Sequence, residues 1–109
     1  MNASIMINKR LLYFNTATAQ HILGTWDQKT QVIKELHINK NGHLFFAVYD
    51  EENNKEYIKY ATPQAALSFI DDCKSNKMPI RWFPNGKNLL QQVVNNTFKP
   101  DDVFTEDVD

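Results

Sequence analysis

Residues 30–60 read TQVIKELHINKNGHLFFAVYDEENNKEYIKY, and this stretch decides the fold. Three runs rich in β-branched and aromatic residues are separated by two polar, turn-forming breaks, the pattern of an antiparallel meander. The first break holds Asn41-Gly42, two residues that tolerate the positive φ of a type I′ turn. A two-residue turn there sets Lys40 opposite His43, Ile38 opposite Phe45 and Leu36 opposite Ala47. One face then carries Val32, Leu36, Ile38, Phe45, Ala47 and Tyr49. A tight second turn within Asp50 to Asn54 pairs Tyr49 with Ile58 and Ala47 with Tyr60, adding two apolar residues to that face. The expected strands are Thr30 to Asn39, His43 to Tyr49 and Lys55 to Ala61.

Outward from the meander, Thr62-Pro63 announces a helix: a threonine cap, then proline at the first helical position, where its missing N–H costs nothing. Ala66, Phe69, Ile70 and Cys73 form an apolar stripe at helical spacing, and the helix ends by Asn76, before Pro79. Ile80 to Phe83 reads as a short extended piece closed by Pro84-Asn85-Gly86. A second helix from Lys87 to Phe98 shows Leu89, Leu90, Val93 and Val94 on one side and stops at Pro100. On the N-terminal side, Ser4 to Phe14 is expected to be one strand. Asn15 to Leu23 is expected to form one or two helical turns ended by Gly24. The fold class that follows is α+β: an antiparallel sheet of four to five strands with two C-terminal helices packed on one face.

The 109 residues suit one domain, expected over 1–99, with 42% apolar and 12% aromatic residues to build its core. A single cysteine excludes an intrachain disulfide and fits a cytoplasmic setting. Lys9 and Arg10 interrupt the N-terminal apolar run, against a signal peptide. No apolar stretch approaches the roughly 18 residues of a membrane span. The net charge of −1 divides unevenly. Of thirteen acids, five lie in residues 100–109, leaving eight against twelve bases, a net of +4 for the body. The expected electrostatic picture is a basic body with a mobile acidic tail over 100–109.

Catalytic patterns are absent from this reading, which gives a protein that is not an enzyme and has no cofactor and no metal. His21, His37 and His43 lack metal-ligand spacing. Cys73 lies on a core stripe, Asp71 and Asp72 point apart on a helix, and the three glycines fall in separate turns. Two surfaces remain. The second face of the meander is expected to show Ile33, Glu35, His37, Leu44, Phe46, Val48, Tyr57 and Lys59, an apolar patch rimmed by charge. The segment from Lys74 to Lys87 holds Lys77, Arg81, Trp82 and Phe83 with no acid, and Trp and Arg are enriched at contact hot spots. The expectation is a non-enzymatic protein-binding module, a small inhibitor or accessory factor that occludes a macromolecular partner. Its contact residues would be Arg81, Trp82, Phe83, Lys77, Phe46, Tyr57 and Lys59. The alternative is a nucleic-acid-binding domain, with a basic body contacting phosphates and an acidic modulatory tail.

Overall fold

A computed structural model describes residues 1–104. Seven strands and two helices follow one another as β1 (Asn2–Ile7), β2 (Arg10–Asn15), β3 (Gln20–Asp27), β4 (Val32–Ile38), β5 (Leu44–Asp50), β6 (Lys55–Ala61), α1 (Pro63–Ser75), β7 (Ile80–Trp82) and α2 (Gly86–Val94). A 3₁₀ turn at Pro100–Asp102 closes the described chain. Strands β3 to β7 form an antiparallel sheet in the order β6-β5-β4-β3-β7, while β1 and β2 make a separate two-stranded ribbon. The architecture is α+β, as expected. No helix among the described residues is long and apolar enough to cross a membrane.

The N-terminal third differs from its expectation. Ser4 to Phe14 is not one strand but a hairpin turning at Asn8 and Lys9, both at positive φ (50° and 67°). The type I′ turn of this chain is therefore here, in a two-residue loop that suits strand twist. Residues 15 to 23 are not helical. Asn15 accepts the Ala17 N–H through Oδ1 (2.9 Å), making a polar turn, and the chain then enters β3. Seven paired positions with β4 outweigh the weak helical propensity of that segment.

The meander forms, but its first turn is one residue longer than expected. Ile38 pairs with Leu44, leaving a three-residue loop inside the Asn39–His43 closure. The Asn39 carboxamide accepts the backbone N–H of both Asn41 (3.0 Å) and His43 (2.9 Å). The Gly42 N–H donates to the Asn39 carbonyl, with Gly42 alone of the loop at positive φ (81°). This is a type I turn with a bulge at glycine, which competes with the type I′ form for any Asn-Gly pair. The one-residue slip exchanges the faces of β5 and β6 relative to β4. Leu36 pairs with Phe46 and His37 with Phe45, so Val32, Leu36 and Ile38 share their face with Leu44, Phe46 and Val48. Phe45, Ala47, Tyr49, Ile58 and Tyr60 lie on the opposite side, with Ile33, Glu35 and His37. The second turn slides by two residues, pairing Ala47 with Ile58 and Phe45 with Tyr60, which leaves the face of β6 relative to β5 unchanged.

The helices cover the face carrying Phe46. Ala66, Ile70, Leu89 and Leu90 pack on Ile22, Leu23, Leu36, Ile38, Leu44 and Phe46, and the Phe69 ring meets the Phe46 ring edge-on at 4.9 Å. The α1 stripe is as the spacing predicts, opened by the Thr62 hydroxyl accepting the Ala65 N–H (3.1 Å). Helix α2 ends four residues earlier than expected. Asn96 turns left-handed (φ 58°) and the Thr97 N–H donates back to the Gln92 carbonyl, a Schellman closure that leaves Val94 exposed. Val103 packs against the main core, and residues 105–109 of the expected tail lie outside the described chain.

Candidate functional site

The second face of the sheet is covered at one end only. Phe14 of β2 is fully buried there, its ring 5.1 Å from Phe45 and 6.1 Å from Tyr60. Next to the hairpin the face carries a row of rings set by register, in which His37 and Phe45 are fully buried and His21 and Tyr60 half-buried. His21 pairs with His37, His37 with Phe45 and Phe45 with Tyr60, so all four share one face and one row. The Phe83 ring stands 4.7 Å from His21, His21 stands 4.1 Å from His37, and His37 stacks nearly parallel on Phe45 (5.1 Å, 11°).

Glu35, two residues before His37 on β4, projects on the same side. One of its oxygens, Oε1, lies 3.7 Å from His21 Nε2 and 3.5 Å from His37 Nε2. Candidate ligand atoms of these three residues all fall within 4.8 Å of one another. The His37 side chain has no solvent exposure, and neither ring nitrogen has a hydrogen-bond partner. Burial, reinforced by neighbouring His21, holds its pKa down at about 3, so the ring is neutral. Burial together with the carboxylates of Glu35 and Glu56 raises the Tyr49 phenol above its ordinary value.

Glu35 also floors a groove of about 320 Å³ whose walls include Gly24, Trp26, Ile33, Arg81 and Phe83. Trp26 is 48% exposed, and the Arg81 guanidinium sits over the Phe83 ring at 5.6 Å. Protein-family models, curated proteins and solved structures show no significant match to this chain.

The seven residues expected to make contact are divided among three places. Arg81 and Phe83 line the groove, as the alternation over Ile80 to Phe83 requires. Trp82 faces the other way, half-buried at the edge of the helix-side core with the Lys87 Nζ 5.4 Å above its ring. Lys77 is exposed just past the end of α1, left-handed at φ 56°, and lines a neighbouring hollow with Trp26 and Met78. Phe46, Tyr57 and Lys59 do share a face, but it is the helix face rather than the open one. Phe46 is buried beneath Phe69 and offers nothing to a partner, while Tyr57 and Lys59 are exposed beside α1. The correction follows from the longer turn at Asn39. Cys73 is buried among core residues, and burial pushes its thiol pKa up, away from the reactive thiolate.

Sequence spacing did not assemble His21, Glu35 and His37. Alternation over Glu35-Leu36-His37 was a visible signal that Glu35 and His37 share a face. Bringing in His21 needs the β3–β4 register, which shifts at a bulge between His21 and Leu23. Trp26 falls at a helical spacing with Leu23, Thr30 and Ile33 in the sequence, and the β3–β4 pairing, which sets Trp26 opposite Ile33, overrides that pattern.

Proposed function

We propose that the protein is a non-enzymatic protein-binding module whose contact surface is the open half of the second face. Trp26, Arg81 and Phe83 would anchor the contact. The reading rests on one observation above others: a half-exposed Trp26 stands beside Arg81 and Phe83 around a groove at the β3–β7 end of that face. Trp and Arg in such settings are the residues whose truncation weakens binding most, by about 2 kcal/mol or more where they are fully covered. Occupation of a partner's surface, as an inhibitor or accessory factor, is the mode this geometry suits. A nucleic-acid partner is the second reading, favoured by the basic body but opposed by Glu35 on the groove floor.

The test is capture from an extract of cells expressing the protein, with bound proteins identified by mass spectrometry. Trp26→Ala and Phe83→Ala are expected to lose the proteins that wild type and Tyr57→Ala retain, with melting temperatures little changed for Trp26→Ala. Equal capture by both variants removes this surface from consideration. Retention on heparin that falls steeply with salt supports the nucleic-acid reading instead.

A further inference from the structure

Three side chains from two strands converge on one point on the floor of the open face. The separations from Glu35 Oε1 to His37 Nε2 (3.5 Å) and His21 Nε2 (3.7 Å) are close to the edge of a ligand tetrahedron. That edge is about 3.4 Å for ligands 2.0–2.1 Å from zinc. Both ring nitrogens of His37 are buried without a hydrogen-bond partner. Leaving buried polar groups unpartnered costs about 1–3 kcal/mol each, and ion binding is one recognised reason for such a group. The His37 ring is also held in place, stacked on Phe45 with His21 on its other flank. Glu35 has no lysine or arginine at ion-pair distance among the described residues; its neighbours at that range are the two histidines. A carboxylate between two imidazoles supplies three donor atoms and offsets one of a divalent ion's two charges.

We propose that His21 Nε2, His37 Nε2 and the Glu35 carboxylate bind a divalent first-row transition metal, with zinc the ion that fits best. Two imidazoles and a carboxylate suit zinc and disfavour calcium or magnesium, which take oxygen ligands. The His37 side chain is sealed, whereas those of His21 and Glu35 are 37% and 24% exposed, so the metal's remaining position opens toward the groove. Nδ1 of His37 has no acceptor. The usual outer hydrogen bond is therefore missing, which lowers affinity and gives an exchangeable ion rather than a permanently held one. The inference is independent of what the groove binds.

The experiment uses the full chain stripped with EDTA and titrated with zinc sulfate by calorimetry, and with cobalt(II) by visible absorption. One equivalent is expected, with a d–d band of low-symmetry cobalt. Zinc is expected to shift the imidazole NMR signals of His21 and His37 while leaving His43 in place. Glu35→Gln and His21→Ala, at partly exposed positions, are expected to weaken zinc binding by at least about tenfold while keeping the circular dichroism of wild type. His43→Ala is expected to bind as wild type does. No stoichiometric zinc binding by wild type, or zinc shifts that spare His21 and His37, overturns the proposal whatever the variants do. Unchanged affinity in both folded variants also overturns it.

Discussion

His37 is a buried polar residue with no hydrogen-bond partner, and that makes it a measurable liability in the metal-free protein. Its folded pKa is near 3 against an ordinary value of 6.5. Below pH 6.5 the unfolded chain therefore takes up a proton that the folded chain refuses. This contribution to stability is full above pH 6.5 and is lost progressively as the pH falls toward 3. The slope is at most about 1.4 kcal/mol per pH unit, less whatever Glu35, 3.5 Å away, returns to the imidazolium. In EDTA, the urea midpoint is expected to be nearly level from pH 7.5 to about 6.5 and to drop steadily from there to pH 5. His37→Phe keeps a ring on Phe45 and removes the unpartnered nitrogens, so it is expected to gain about 1 kcal/mol at neutral pH and to flatten the acid response. A flat wild-type profile, or a destabilised variant with an unchanged slope, refutes this account. Glu35 and His37 could be placed together from alternation alone. That no lysine or arginine lies at ion-pair distance from Glu35 among the described residues, and that His21 arrives beside it, depend on the pairing of β3 with β4.

At the scale of the element, the parts of the fold that read correctly were those with local chemistry. Thr62-Pro63 opens α1 because cap and ring act within one turn, and the Ala66, Ile70 and Cys73 stripe needs only helical period. The Asn41-Gly42 turn failed for a physical reason: Asn39 supplies a carboxamide that captures two N–H groups and stabilises a frame one residue longer. The Asn-Gly pair itself does not choose between the two frames. Their difference appears only when Phe45 and Phe46 are asked which neighbour each buries against. The junction of β3 and α2 was equally hidden. The extra residue of the β3 bulge, Ile22, turns its carbonyl to accept the Phe83 N–H (3.0 Å), and the same carbonyl lies against Gly86 at the start of α2. A Cβ on Gly86 would run into that oxygen, and backbone cannot step aside as a side chain can. Gly86→Ala is expected to destabilise by about 1–3 kcal/mol, read as a lower denaturation midpoint with an unchanged m-value. Because Phe83 is anchored to the same carbonyl, its ring resonance is expected to shift as well. Wild-type stability in this variant would mean that α2 docks differently.

The whole molecule is a five-stranded sheet with one face closed by helices and the other half closed by a ribbon of only two strands. A two-stranded hairpin is marginal alone, so β1 and β2 hold their place by what they bury. Phe14 is the main attachment, fully buried against Phe45, Tyr60 and His43. The outward side of the same ribbon leaves Met6, Leu11 and Tyr13 largely exposed and contributes nothing to docking. Phe14→Ala is therefore expected to cost about 3–5 kcal/mol, the range for deleting a buried aromatic. The loss should take a particular form. Amide exchange should accelerate first in β1, β2 and the β5–β6 pair beneath them, while α1, α2 and the β3–β4 pair keep their protection. The Phe45 and His37 rings would then face water, making His37 easier to protonate. Uniform acceleration across both faces would show instead that the ribbon and the helix-side core unfold as one unit.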